Sequence, residues 1–342
     1  NEQIREIAKS VLGDPEEFLL SALALPLYDS LRRPIALMQT LAIYKTNGTL
    51  PDQPNAISRN LVELYIEQWD FHNRLRRESR YANFPPIRKR DFLSAVAFHL
   101  MYRSGLQSFT FDRAALERIY ADIHQSFGLP LNEASLVARE LETHTGILVQ
   151  AGLNSYEFSD VPTQEFLAAS YIANDPFSLR VFDCLSRFPG PVAIAIALAR
   201  NPNDWMVSIF LDEHNQSRVQ GVSATLAEFI ERLRIERPHF YESGLLGYVV
   251  LFLIHTFNES ETITKAIFGL LLMPSVLESA RYALRAYAPE QVRAGASFFV
   301  HASLQRSESL GNSLVAPKGI RVPAEWWSRL SGTLELEFPN AD

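Results

Sequence analysis

The chain has 342 residues, 47% hydrophobic and 21% charged, an ordinary globular composition with room for two or three domains that argues against a disordered chain. Its net charge of -7 at pH 7 excludes general attraction to nucleic acid or an anionic membrane, so any such contact has to be local. The single cysteine, Cys184, excludes an internal disulfide and fits a buried thiol in a reducing, cytoplasmic setting.

The first ten residues, NEQIREIAKS, carry neither an initiator Met nor an apolar signal core, and they read as the cut edge of something longer. Ile4, Ile7, Ala8 and Val11 fall at helical spacing, and Asp14, Pro15, Glu16 and Glu17 supply the cap, proline and acids that open a second helix. In RRPIALMQTLAIY, Pro34 is a first-turn proline. TNGTLP then turns the chain at Asn47 and Gly48 into a helix with Ile57, Leu61, Leu64, Tyr65 and Trp69 on one face. These elements define a helical domain over 1–75.

From Arg74 to Arg90 the chain carries Arg74, Arg76, Arg77, Arg80, Arg88, Lys89 and Arg90 against Glu78 alone, around Pro85 and Pro86. With no aromatic platform or glycine-rich turn beside it, this basic stretch reads as a solvated hinge rather than a phosphate site. Three helical patterns follow: Leu93, Val96, Ala97, Leu100; Leu116, Ile119, Tyr120, Ile123, Phe127; and Leu136, Val137, Leu141. GILVQAGLNSYEFS then forms a hairpin around Gly152 and Asn154. Three helices and one β-hairpin make a winged helix over 86–174. Its third-helix segment carries Glu133, Glu140 and Glu142 against Arg139; such a face repels phosphates and argues against DNA reading.

In YEFSDVPTQEFLAA the alternation of Tyr156 and Phe158 breaks at Ser159 and Asp160, and Pro162 opens a helix packed through Phe166, Leu167, Ala169 and Tyr171. Beyond Asn174, apolar segments such as VAIAIALA, TLAEFIERL, LLGYVVLFLIHTF, ITKAIFGLLLM and SARYALRAY need neighbours on both sides, as stacked helix pairs of an α-solenoid do. They give an irregular helical-repeat domain over 175–305. The most apolar run, Leu245 to Phe257, is shorter than the roughly 20 residues a bilayer requires. Residues 306–342 complete the chain: Ser303 to Pro323 is loop-like, and TLELEF (Thr333 to Phe338) alternates like a lone strand that needs a partner, as at the start of a further domain. The fold class is mainly α.

Chemistry is sparse. None of the 15 glycines is followed by lysine, so the chain lacks the P-loop that cradles phosphates and is not an enzyme by that route. Ile209, Phe210, Leu211, Asp212 and Glu213 imitate a Walker B strand, but with no Walker A before them they also fit a buried helix end meeting solvent. The eight histidines show no i, i+4 pairing and no clustering with cysteine, which leaves a zinc site unsupported. No G-x-S-x-G elbow is present.

The stretch from Tyr156 to Ala169 resembles the signature that closes the winged helix of NACHT-type STAND ATPases, the switch family that includes animal and bacterial immune receptors. Arg33, Pro34, Ile35, Leu37, Leu41, Ala42, Gly48, Leu50, Pro51 and Trp69 likewise resemble, in order, the helical domain that follows the nucleotide-binding core in that family. The resemblance reaches to about residue 175 and departs at Asp160, Pro162 and Thr163. It implies a regulatory and sensing half of an ATPase switch, in innate immunity or anti-phage defence. ATP or ADP with magnesium would be bound by a P-loop core in cis, a protein ligand by the helical repeats, and the active form would be a homo-oligomer. Pro34 would lie against the adenine. Asp160 stands where the family has a histidine on the β-phosphate of ADP, and a carboxylate about 4 Å from a phosphate charge costs on the order of 4 kcal/mol at an effective dielectric near 20. Asp160 therefore either meets magnesium or an arginine, or caps the helix beside it. Gln164 and Glu165 match the family motif as packing and hydrogen-bonding residues. The alternative is a stand-alone, ATP-independent helical scaffold that binds another protein.

Overall fold

The computed structural model describes residues 2–23, 31, 34–51, 53–72, 86–104, 110–137, 139, 146–174, 181–211, 215, 218–257, 260–287, 298–300 and 320–322. Helix α1 (Glu2–Leu12) buries Ile4 and Ala8, and α2 (Glu16–Leu23) buries Phe18, Leu19 and Ala22. Between them Gly13, at φ 82, donates its N–H to the Lys9 carbonyl at 2.9 Å, and Asp14 accepts the Glu16 N–H at 3.2 Å. A left-handed glycine thus closes one helix while an aspartate opens the next. Helix α3 (Pro34–Asn47) begins at its proline and ends at Gly48, and α4 (Pro54–His72) follows. Their inward residues, from Ile4 to Leu61, share one apolar core.

Next come α5 (Pro86–Ser104), β1 (Thr110–Asp112), α6 (Arg113–Ile123), a helical stretch at residues 134–137 and 139, β2 (Leu148–Gly152), β3 (Ser155–Phe158) and α7 (Val161–Asn174). The strands form an antiparallel sheet in the order β1-β3-β2, with Phe111 opposite Tyr156 and Leu148 opposite Phe158. The sequence called for a two-stranded hairpin alone, and β1 corrects that expectation. Its three residues, TFD, are too few to show alternation, and Asp112 is spent on capping α6, accepting the Ala115 N–H at 2.7 Å. The basic stretch also needs correction where it is described. Pro86 opens α5, so Arg88, Lys89 and Arg90 ride on the first turns of a helix and not on a hinge; residues 73–85 lie outside the described residues. Helices α5 and α7 pack closely, with the Phe98 and Tyr171 rings stacked at 4.8 Å. A void of about 10 Å³ between Phe92, Val96, Leu116, Tyr120, Ala134 and Leu148 is apolar and too small for a ligand.

The chain divides into two compact units, Asn1–Leu179 and Arg180–Asp342. In the second, α8 (Val181–Leu185) leads into α9 (Pro189–Leu198), α10 (Pro202–Leu211), α11 (Ser223–Glu236), α12 (Gly244–Thr256), α13 (Glu261–Leu270) and α14 (Pro274–Tyr287). Helices α9, α11 and α13 stack in one layer and α10, α12 and α14 in another, so consecutive helices alternate between layers as three stacked pairs. That arrangement accounts for segments apolar on every side: α12 buries Leu246, Tyr248, Val249, Val250, Leu251, Leu253 and Ile254. No helix among the described residues is long and apolar enough to cross a membrane. Strands β4 (Phe298–Val300) and β5 (Ile320–Val322) pair antiparallel, which corrects the reading of 298–300 as helical repeat and of 320–322 as loop. The expected strand at Thr333 to Phe338 lies outside the described residues.

Candidate functional site

The polar break between β3 and α7 organises itself within five residues. Ser159 extends the sheet by donating its N–H to the Ile147 carbonyl at 2.8 Å. Asp160 then caps α7. Its Oδ1 accepts the Thr163 N–H at 2.7 Å, its Oδ2 accepts the Thr163 hydroxyl at 2.9 Å and the Ser159 hydroxyl at 3.2 Å, and its carbonyl accepts the Gln164 N–H at 3.2 Å. Pro162 costs nothing there, because a first-turn residue has no intrahelical acceptor for an N–H.

The helix so started is packed rather than displayed. Thr163, Gln164, Phe166, Leu167, Ala168, Ala169 and Ile172 are buried, and α7 lies against α4 as well as α5. On α4, which packs on α7, Tyr65 is buried. Burial pushes the pKa of its phenol up, Asp160's negative charge pushes it further up, and the Ser159 hydroxyl opposes them. Tyr65 entered the sequence reading only as part of a packing face; the influence of Asp160 on it joins positions far apart in the chain and leaves no local signal. Ser159 and Thr163 were legible, because D-x-x-T before an apolar helix is a capping pattern.

Pro34 is the first residue of α3, which packs on α1 and α4, whereas Asp160 belongs to the start of α7. Helix α4 is thus the neighbour that both elements share. Asp160 does not fit a nucleotide phosphate. Both carboxylate oxygens already accept donors from Ser159 and Thr163, and no described Lys or Arg pairs with it to offset the like charge. Of the alternatives the sequence left open for Asp160, the cap is the one this geometry makes.

The other candidates form no site among the described residues. Ile209, Phe210 and Leu211 form the buried last turn of α10 and not a strand, which is the buried helix end that the sequence favoured over a Walker B strand; Asp212 and Glu213 lie outside the described residues. Cys184 is buried in α8 and its thiol is pushed up to about 12, chiefly by burial and then by Asp183, so it carries little thiolate at neutral pH. No group of three or more His, Cys, Asp and Glu among the described residues could hold a metal ion. Comparison of the chain with protein-family models, curated proteins and solved structures gives no match.

Proposed function

We propose that the chain is the regulatory and sensing portion of a NACHT-like STAND ATPase switch, cytoplasmic and acting in immunity or anti-phage defence. The observation that carries this reading is the passage from β3 through the Asp160 cap into α7. It places the QEFLAA segment, Gln164 to Ala169, against α4 and α5, which joins the two motif-bearing regions in one compact unit. The strand order β1-β3-β2, with one helix before β1 and helical segments between β1 and β2, supports a winged helix. The three stacked pairs support a sensing solenoid, on which Tyr241, Leu272 and Tyr282 are exposed apolar side chains for a protein ligand.

In the parent protein, ATP or ADP with magnesium is bound by a P-loop core in cis and biases a two-state equilibrium. This chain supplies the element that is held closed and the surface whose ligand opens it, leading to a homo-oligomer. A ligand that reverses a 99:1 population must bind the open state roughly 10,000-fold better. The same exposed side chains favour a second reading, an ATP-independent scaffold, because a stack of helix pairs binds protein without nucleotide.

The intact mass of the natural product, with its coding frame read upstream of Asn1, separates the two. A product larger by about a domain or more, with a P-loop and Walker B upstream, is the expected result. A natural product of about this length without them would refute the switch and leave the scaffold. Duplex DNA binding that is tight at 50 mM salt and weakens steeply by about 200 mM would count against both readings.

A further inference from the structure

A single exposed leucine is ordinary on a protein surface, whereas a row of them marks a contact. Three stand in a row along α6. Arg113, Glu117 and Tyr120, at i, i+4 and i+7 on that helix, each hold another part of the first unit. The Arg113 N–H donates to the Asn154 carbonyl at 3.0 Å, Glu117 Oε1 accepts the Ser135 hydroxyl at 3.4 Å, and the Tyr120 hydroxyl donates to the Pro130 carbonyl at 2.7 Å. These ties are spread over about 10 Å of helix, one for each turn.

Beside each tied residue in the chain is an exposed leucine. Leu153, at the hairpin tip between β2 and β3, is 92% exposed, Leu136 44% and Leu131 55%. Leu129, Ala134 and Val137 are buried around the last two, so these outer leucines belong to a segment fixed on the core. That segment is also acidic: residues 130–143 carry Glu133, Glu140 and Glu142 against Arg139, and Arg113 is already paired with Glu117 at 2.8 Å.

We propose that the row of Leu131, Leu136 and Leu153 docks a cationic amphipathic helix of a partner protein. Such a helix presents apolar side chains at i, i+3 or i+4 and i+7, the same spacing of one per turn, and its flanking Lys and Arg side chains meet the glutamates. A nucleic acid would bring like charge to those glutamates. So would a second copy, because a twofold pairing sets the row against itself. The proposal goes beyond the switch and stands on the surface of the first unit alone.

The test is fluorescence anisotropy of a labelled synthetic helix built of leucines at i, i+3 and i+7 with lysines on the flanks, titrated with the full chain. Saturable binding is expected, about tenfold weaker in the double variant Leu136→Ser, Leu153→Ser, and weaker again when salt is raised from about 50 to about 200 mM. Both leucines are exposed, so the double variant keeps the fold. Leu20→Ser on α2, a site 70% exposed, should bind like the parent chain. No binding, equal binding of a peptide with the same residues in scrambled order, or an equal loss in Leu20→Ser would overturn the proposal. A dimer in sedimentation that the double variant breaks would overturn it in favour of a second copy. Duplex DNA held by the parent chain and released by the double variant would overturn it in favour of nucleic acid.

Discussion

Replacing Gly247 by alanine tests the helix stack at its tightest point. A Cβ on Gly247 would lie 1.9 Å from the Ser279 carbonyl oxygen and 2.4 Å from its carbonyl carbon, so α12 and α14 meet backbone to backbone. Ser279, fully buried, also fixes the approach: its hydroxyl donates to the Ser275 carbonyl at 2.6 Å and accepts the Ser243 N–H at 2.9 Å. Ordinary van der Waals contact begins at 3.4 Å, and no side-chain rotation relieves a clash with backbone, so the helices have to part by about 1.5 Å. Overpacking costs typically 1–3 kcal/mol and a backbone obstacle belongs at the upper end, about 3 kcal/mol. Alanine returns about 1 kcal/mol over glycine in a helix. The net loss of about 2 kcal/mol corresponds to a fall in Tm of about 4–8 °C for a unit of this size. Thermal melts followed by circular dichroism, with urea denaturation beside them, measure it. Gly221→Ala is the control, because nothing lies within 4 Å of its added Cβ. If Gly247→Ala melts at or above the parent temperature, the close approach of α12 and α14 is wrong.

Asn203, 1% exposed, donates its Nδ2 to the Tyr241 carbonyl at 2.8 Å and accepts the Tyr241 N–H on Oδ1 at 3.2 Å. Asn203→Ala removes both bonds and should lower stability by about 2 kcal/mol; an unchanged urea midpoint would show that the clamp does not form. Ser94, 3% exposed, has a hydroxyl with no hydrogen-bond partner among the described residues, so Ser94→Ala should stabilise the chain by about 1 kcal/mol, and a loss would reveal an unseen partner. Tyr120 is pushed up to about 12 by burial first and by Glu133 second. Its raised value means that the folded state favours the neutral phenol. That stabilisation is whole below the ordinary value of 10.0 and is lost as pH rises from there through about 12. Stability should therefore decline over that window, with delayed phenolate absorbance at 295 nm and a smaller decline in Tyr120→Phe. Ionisation of every tyrosine near pH 10 in the folded chain would contradict it.

Helices were legible wherever period and punctuation agreed. Ile4 and Ala8, and likewise Leu116, Ile119, Tyr120 and Ile123, are the inward residues that their spacing predicts, and Pro34, Pro189, Pro202 and Pro274 each stand at a helix start. The short strands were not legible. Three-residue β1, β4 and β5 exist through their partners across the sheet, and three residues cannot display an alternation to be counted. A short apolar run is ambiguous for the same reason, which is why IFL ahead of Asp212 could imitate a strand as well as the buried helix end that it forms in the helix from Pro202 to Leu211. The layering of α9 to α14 lay further out of reach. All-round burial says that neighbours exist, but which helix stacks on which depends on close approaches such as Gly247 on Ser279.

Asp160 shows how far local chemistry can decide a site. The sequence left it either as a partner of magnesium or arginine or as a helix cap. Every donor needed for the cap lies within three residues, on Ser159 and Thr163, whereas the cation needed for the other role had to come from elsewhere. A local solution forms with little loss of chain entropy and persists whatever the rest of the unit does. Giving up this cap for a distant ligand would cost about 1 kcal/mol before any new contact was made. The packing of α7 on α4 is of the opposite kind: it spans separate elements and exists only while the two helices are together. A junction built this way separates without consuming its own helix start. That property follows from which bonds are local and which are not.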